Sequence, residues 1–378
     1  MSVNPTYMDD LIAMTTPKYH WREWEDVSFT LQECYFAKKF FDRGKTEEQS
    51  GTMCVWDVQF DYEDNFRPTA AYDADESSRK NTMIQGKMGW AFQKTNYQYD
   101  ILEDLLNKSD EQIIRWLDVK EHSLDNSFYY GMDKMMFGTG PTSITQDRPP
   151  SASLLWWLPP YNTNTGQANN PSVLQLGSGV TNDFVGGDPA GFSAIGAGGI
   201  VSANYKGWRH RVGSYTVFNE DDAIDTIVEC MDKCHFTPAQ SYSQIVSETS
   251  PRWDLIAPYS RIKLARKISV SQNDNFRGDV AKWKDTALIR GVPLQIAWQW
   301  TNQDTGNART DGLVMGIHWP SVSMYQNSSW NKVKIGPVRD PRTHTVRWRF
   351  LDNSMQMVFK NRRTSFCVNS SVPVTESN

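Results

Sequence analysis

The residues in this chain that are able to do chemistry fall into a few groupings. Cys230 and Cys234, followed by His235, place two thiols one helical turn apart, and two thiolates on one helix face can share a zinc ion. Such a site needs a second pair of ligands, and the chain has no CxxC pair and no HExxH, so these cysteines read as buried helix residues. The stretch GGDPAGFSAIGAGGI, 186–200, has the glycine content of a phosphate-cradling loop. It lacks GxGxxG and GxxxxGK[ST], and no apolar strand leads into it, so it reads as a set of tight turns. Carboxylates stand together as Asp57 with Asp61, Asp73 with Asp75 and Glu76, and Asp221 with Asp222. Any such pair can act as acid and base, yet these fall on a strand face, a polar tip and a helix start, where a solvated surface is the simpler reading. No GxSxG elbow occurs, and the six histidines show no catalytic spacing.

The basic residues do form a pattern. Between 320 and 363 the chain carries Lys332, Lys334, Arg339, Arg342, Arg347, Arg349, Lys360, Arg362 and Arg363, against only Asp340 and Asp352, in a chain of formal net charge −5. Basic and aromatic residues interleaved on strands can bind nucleic acid. They can equally pair with acidic loops of another copy of the chain, since arginine suits planar ion pairs at interfaces. The acidic run Asp73, Asp75 and Glu76 is the natural candidate partner.

The elements that position these groups follow from periodicity. Residues 1–50 read as an arm, with Phe29, Phe36 and Phe40 at helical spacing and Gly44 as a stop. In GTMCVWDVQFDYED, Cys54, Trp56, Val58, Phe60 and Tyr62 share one face. Ile84, Met88, Trp90 and Phe92 repeat the alternation, and a polar tip joins the two runs. A lone two-stranded hairpin buries too little to stand in water, so this flap is expected to lie either on its own domain or on a neighbouring copy, and its long strands and a tip rich in both signs of charge favour the neighbour. A helix follows over about 109–137, with Ser109 and Gln112 as a capping box and Ile113, Leu117, Leu124, Phe128, Met132 and Met135 as its apolar stripe. Residues 138–215 are turn-rich. Asn219 caps a second helix whose first turn holds Glu220, Asp221 and Asp222. The remainder reads as strands: PLQIAWQW, GLVMGIHW, and THTVRWRF turning through LDNS into MQMVF. The class is mixed α+β, without internal repeats.

A chain of 378 residues can bury a large core and divide into two or three domains. With 39% hydrophobic and 22% charged residues, it belongs to the globular class. It has no apolar run long enough to span a membrane, and its first residues lack a basic start and apolar core, so no secretion signal is expected. Five cysteines read as free thiols of a reducing compartment. Fifteen tryptophans, 15 tyrosines and 17 phenylalanines exceed ordinary usage and serve either a filled core or subunit contacts.

The order of these pieces resembles the major capsid proteins of tailed bacteriophages, the Hong Kong 97-like fold. The resemblance is carried by CVWDVQFDYEDN, KMGWAFQKTNYQYD, Leu288 with Gly291 and Pro293, and Asn361-Arg362-Arg363, and it extends over about 50–368. It implies an N-terminal arm (1–50), an extended hairpin loop (51–98), a peripheral domain with a spine helix (99–215), an axial domain (216–310) and a peripheral return (311–378). It further implies a shell protein without catalytic activity or cofactor, built of hexamers and pentamers around double-stranded DNA in a virion and made in the host cytoplasm. The partners implied are other copies, a scaffolding protein, a portal and decoration proteins, with no membrane. The expected subunit-contact residues are Trp56, Phe60, Asp73, Asp75, Glu76, Trp90, Arg347, Arg349, Lys360, Arg362 and Arg363. The alternatives are a bacterial nanocompartment shell of the encapsulin type and a nucleic-acid-binding protein using the basic C-terminal third. The shell reading is staked on the apolar side of the flap being covered by another molecule.

Overall fold

The computed structural model describes residues 34–42, 46–60, 68, 81–102, 116–138, 153–160, 185–189, 192, 194–234, 253–272, 288–290, 292–301 and 312–370. Helix α1 (Tyr35–Asp42) leads to strand β1 (Thr46–Gln49) and the flap strands β2 (Met53–Gln59) and β3 (Met83–Gly89), then β4 (Phe92–Asp100). The long helix α2 (Trp116–Met136) follows, then the single-turn α3 (Leu154–Trp157) and β5 (Arg211–Tyr215). A π-helical turn (Glu220–Ile224) runs into α4 (Asp225–Lys233), and β6 (Trp253–Ala257) into α5 (Tyr259–Gln272). The return comprises β7 (Leu288–Ile289), β8 (Val292–Ile296), the single-turn α6 (Trp298–Thr301), β9 (Val314–His318), β10 (Val322–Asn327), β11 (Val333–Arg339), β12 (Val346–Phe359) and β13 (Phe366–Ser370).

Strand β12 organises the molecule. Its last residues pair with β10, which in turn carries β1. Its first residues run between β11 and β4. Beyond a 3₁₀ turn at Arg362–Thr364, β13 joins a second sheet in the order β5-β13-β9-β6-β8-β7. The main core lies under α2, whose Leu124, Phe128, Met132 and Met136 recur every four residues on the buried face. A smaller core forms where α4 and α5 cover the second sheet, around Ile227, Cys230, Cys234, Ile262 and Phe366.

Several expectations are corrected. LDNS is not a turn, because β12 is continuous through it: Asp352 and Asn353 register with Lys94 and Gln93, and the Asn353 amide donates to Gln93 Oε1 at 3.0 Å. The amide thus finds a partner across the strands and has no need of a turn. AWQW is helical rather than extended, starting at Trp298 after β8 ends. The second flap strand ends at Gly89; β4 pairs with β12, and Phe92 is exposed. The described end of the expected arm, α1, packs on the body, with Phe36 and Phe40 fully enclosed against Phe137 and Trp319. The capping box at Ser109 and the start of that helix lie outside the described residues, as do the tip acids Asp73, Asp75 and Glu76. All five cysteines are buried free thiols, and no metal-holding group of His, Cys, Asp or Glu occurs among the described residues. No described helix is long and apolar enough to cross a membrane.

Candidate functional site

The flap packs on its own chain. Alternation turns Cys54, Trp56 and Met88 inward on paired strands. Trp56 meets Trp157 edge-on at 6.1 Å, Phe60 meets Tyr205 at 4.4 Å, and the Gln356 amide donates to Met88 Sδ at 2.9 Å. Lys87 N donates to Gly198 O at 2.9 Å. The root is bolted as well. The Gln49 side chain gives a hydrogen bond to Val55 O at 2.8 Å and accepts one from Val55 N at 3.1 Å, and Trp90 Nε1 donates to Gly51 O at 2.8 Å. The expectation that a neighbour covers this apolar face is therefore wrong for the described part of the flap, and Trp56 and Trp90 are core residues. The reason is glycine. Gly198 takes a positive φ of 66°, which presses its backbone against the flap, and a Cβ there or at Gly86 would sit 2.7 or 2.4 Å from the Trp56 ring. Gly86→Ala is expected to cost about 1–3 kcal/mol by displacing that ring, read as a lowered midpoint in urea.

Beneath this seat lies a buried brace. Arg362 is fully enclosed. Its Nε donates to Trp157 O at 2.8 Å, and one terminal nitrogen donates to Gly187 O at 2.9 Å and His210 Nδ1 at 3.2 Å. The other reaches Asp188 Oδ1 and Ser202 Oγ, each at 3.4 Å. Asp188 also accepts from Ser202 N at 2.8 Å and Ala197 N at 3.4 Å. One guanidinium thus joins four separate stretches of chain. Burial lowers its pKa, which Asp188 partly restores, to about 10, so the charge persists at neutral pH. Burial, with the charge of Arg362 beside it, holds the His210 imidazole well below its ordinary value.

Several other basic residues have partners inside the chain. Arg349 pairs with Glu121 of α2, Lys334 with Asp125 at 3.3 Å, and Lys332 donates to the Tyr129 hydroxyl at 3.1 Å, so a basic strand face lies under an acidic helix stripe. Lys360 pairs with Glu47 at 2.5 Å and thereby ties β1 to the end of β12. Burial pushes the Glu47 carboxyl up, but the bonds from Lys360 and Ser323 pull it below its ordinary value. Arg362, expected at a subunit contact, is enclosed in its own chain, whereas Arg349 and Lys360 pair with carboxylates of the same chain and keep about a third of their side chains exposed. What remains is the β11–β12 tip. Arg339 stands directly across from Arg347, Arg339 and Arg342 are exposed, and Arg347 Nε finds no partner among the described residues. Asp340 between them is engaged by Thr343 Oγ1 and Arg342 N. Opposed like charges on paired strands are unfavourable until an anion meets them. Arg363 is half-buried.

No protein-family model and no curated protein matches the sequence. Solved structures do match in shape. The capsid of a native GTA particle superposes with a TM-score of 0.57 at 8% identity, covering 94% of this chain and 95% of that one. The capsid subunit of cyanophage A-1(L) gives 0.55 at 8% identity, over 86% and 90%. The capsid of Myoviridae phage XM1 gives 0.50 at 8% identity, over 93% and 96%. This is a phage-type capsid fold. Within it, the residues missed by sequence reasoning are Asp188, His210 and Asp254. Asp188 sits in the glycine-rich stretch read only as turns, and nothing local to it signals a partner 174 residues away.

Proposed function

We propose that this chain is the major capsid protein of a tailed phage, a non-catalytic subunit that assembles through copies of itself into hexamers and pentamers of a closed shell around double-stranded DNA. The observation that carries this reading is the fold likeness along nearly the whole length of both chains. On this reading the divisions into arm, hairpin loop, peripheral and axial domains hold, and a scaffolding protein, a portal and decoration proteins are the further partners. Closed shells are built from heterologous contacts that curve and close. A basic surface for such a contact among the described residues is the tip at Arg339, Arg342 and Arg347, and the acidic run Asp73, Asp75 and Glu76 of another copy is its complement in charge.

Two experiments test the proposal. Negative-stain imaging of the expressed protein, alone and with a scaffolding partner, is expected to show closed particles; dispersed monomers under both conditions would sink the shell reading. Small particles loaded with protein instead of DNA would favour the nanocompartment alternative. For the contact itself, Arg339→Glu with Arg342→Glu is expected to leave the monomer's melting within about 0.5 kcal/mol of the parent, as exposed substitutions do, while particle yield falls at least tenfold on the proposed role. Unchanged yield would remove the tip from the interface.

A further inference from the structure

We propose that the contact between Arg362 and His210 is an acid-sensitive latch, which holds residues 185–189 and 194–210 under the flap and releases them when His210 takes up a proton. The latch belongs to the single chain and stands whether or not the chain builds a shell.

The tautomer follows from the partners. His210 Nε2 lies 2.9 Å from Pro159 O, and a carbonyl only accepts, so Nε2 carries the hydrogen. Nδ1 is then the bare nitrogen, and it accepts from Arg362 at 3.2 Å. An added proton can go only to Nδ1, where an N–H would point at a guanidinium N–H. The charged groups that face His210 are Arg362 and its chain neighbour Arg211, both cationic. Asp188 reaches the imidazole only through Arg362. With His210 neutral, Arg362 and Asp188 balance each other in a fully enclosed site. Protonation leaves one uncompensated charge there, a state that burial opposes strongly.

The release has a route to the flap. Gly186 N donates to His210 O at 2.9 Å, and a Cβ on Gly186 would meet the imidazole at 2.3 Å, so Gly186 packs directly on this ring. Asp188 holds Ser202 and Ala197, and Trp208 Nε1 donates to Ala197 O at 3.1 Å. Gly198 O, next along, accepts from Lys87 in β3. Loosening the brace therefore frees the surface on which Trp56 rests.

The sign follows from linkage. The closed state resists the proton and the released state does not, so opening is favoured as pH falls below the ordinary histidine value near 6.5. One differential proton changes the opening equilibrium by at most about tenfold per pH unit.

The test is hydrogen exchange of the full chain, resolved by peptide, at pH 7.5, 6.0 and 5.0 and corrected for the intrinsic pH dependence of exchange. Opening of 185–189, of 194–210 and of β3 is expected to rise about tenfold between pH 6 and 5, while 124–136 in α2 stays flat. In His210→Asn the amide oxygen replaces Nδ1 as an acceptor but cannot titrate, so the rise is expected to disappear; His210→Gln provides a second non-titrating side chain. A rise that persists in these variants overturns the proposal. So does a wild-type response that is absent, or spread evenly over α2, and that profile decides the matter even if neither variant folds.

Discussion

Arg362→Ala is expected to destabilise the isolated subunit by about 3–5 kcal/mol, the usual cost of removing one partner of a buried ion pair. The loss comes before any meeting with another copy. The substitution strands Asp188 in a fully enclosed site and leaves Trp157 O and Gly187 O without donors. Arg362→Lys is expected to recover only part of the loss, with about 2 kcal/mol still missing. An ammonium is a compact charge and lacks the planar fork that spans acceptors in four chain segments. Replacing both members, Arg362→Met with Asp188→Leu, is expected to cost less than the two single losses summed, because no charge is then left alone. Urea denaturation of the monomer measures all three. An unchanged midpoint for Arg362→Ala would show that the brace contributes nothing to the fold.

This prediction inverts the sequence-based role of the same residue, and the inversion shows what a linear reading can reach. Strand alternation was legible: Cys54 and Trp56 do turn inward together, as read. Helical spacing was legible too, since Leu124, Phe128 and Met132 line the buried face of α2 and Asn219 does accept from Asp222 N at 2.9 Å. Those signals are local, repeating within one element. Charge pairing is not. Glu121 lies 228 positions from Arg349, and Glu47 lies 313 from Lys360. A basic run with few acids nearby in sequence reads as unpaired, and a neighbouring molecule is then the simplest source of counter-charge. The fold brings the acids from elsewhere in the same chain. The flap failed in the same way: its cover is a glycine-rich stretch more than 100 residues downstream, whose composition suggested turns and gave no sign of a bearing surface. The apolar side of the described flap is covered by its own chain. The capsid reading rests instead on the overall fold, which the ordered set of elements did carry.

Asp254→Asn is expected to produce the second large loss, and it asks what fastens α1 to the body. Asp254 is almost fully enclosed in β6, and its Oδ2 accepts from Tyr35 OH at 3.0 Å, from Trp319 Nε1 at 2.6 Å and from the Lys39 ammonium. Two of these donors belong to α1, and the third to the turn that opens β10. At the start of α1, Phe36 N donates to Asp133 Oδ1 of α2 at 2.7 Å, as a side-chain cap does. Two carboxylates from distant elements therefore hold one eight-residue helix that is too short to be stable alone. The asparagine keeps the volume and the acceptor oxygen but leaves the Lys39 ammonium facing a neutral amide in a nearly closed site. A loss of about 3 kcal/mol is expected, near the lower end for a broken buried pair, because Lys39 retains some exposure through which water can reach it. Lys39→Met in the same chain removes the stranded charge, and the double variant is expected to be more stable than Asp254→Asn alone. Exchange of α1 amides separates this anchor from a general weakening: α1 is expected to open well before α2 in Asp254→Asn. Simultaneous opening of both helices would mean that the aromatic contacts of Phe36 and Phe40 with Trp319, rather than the carboxylate, hold α1 in place.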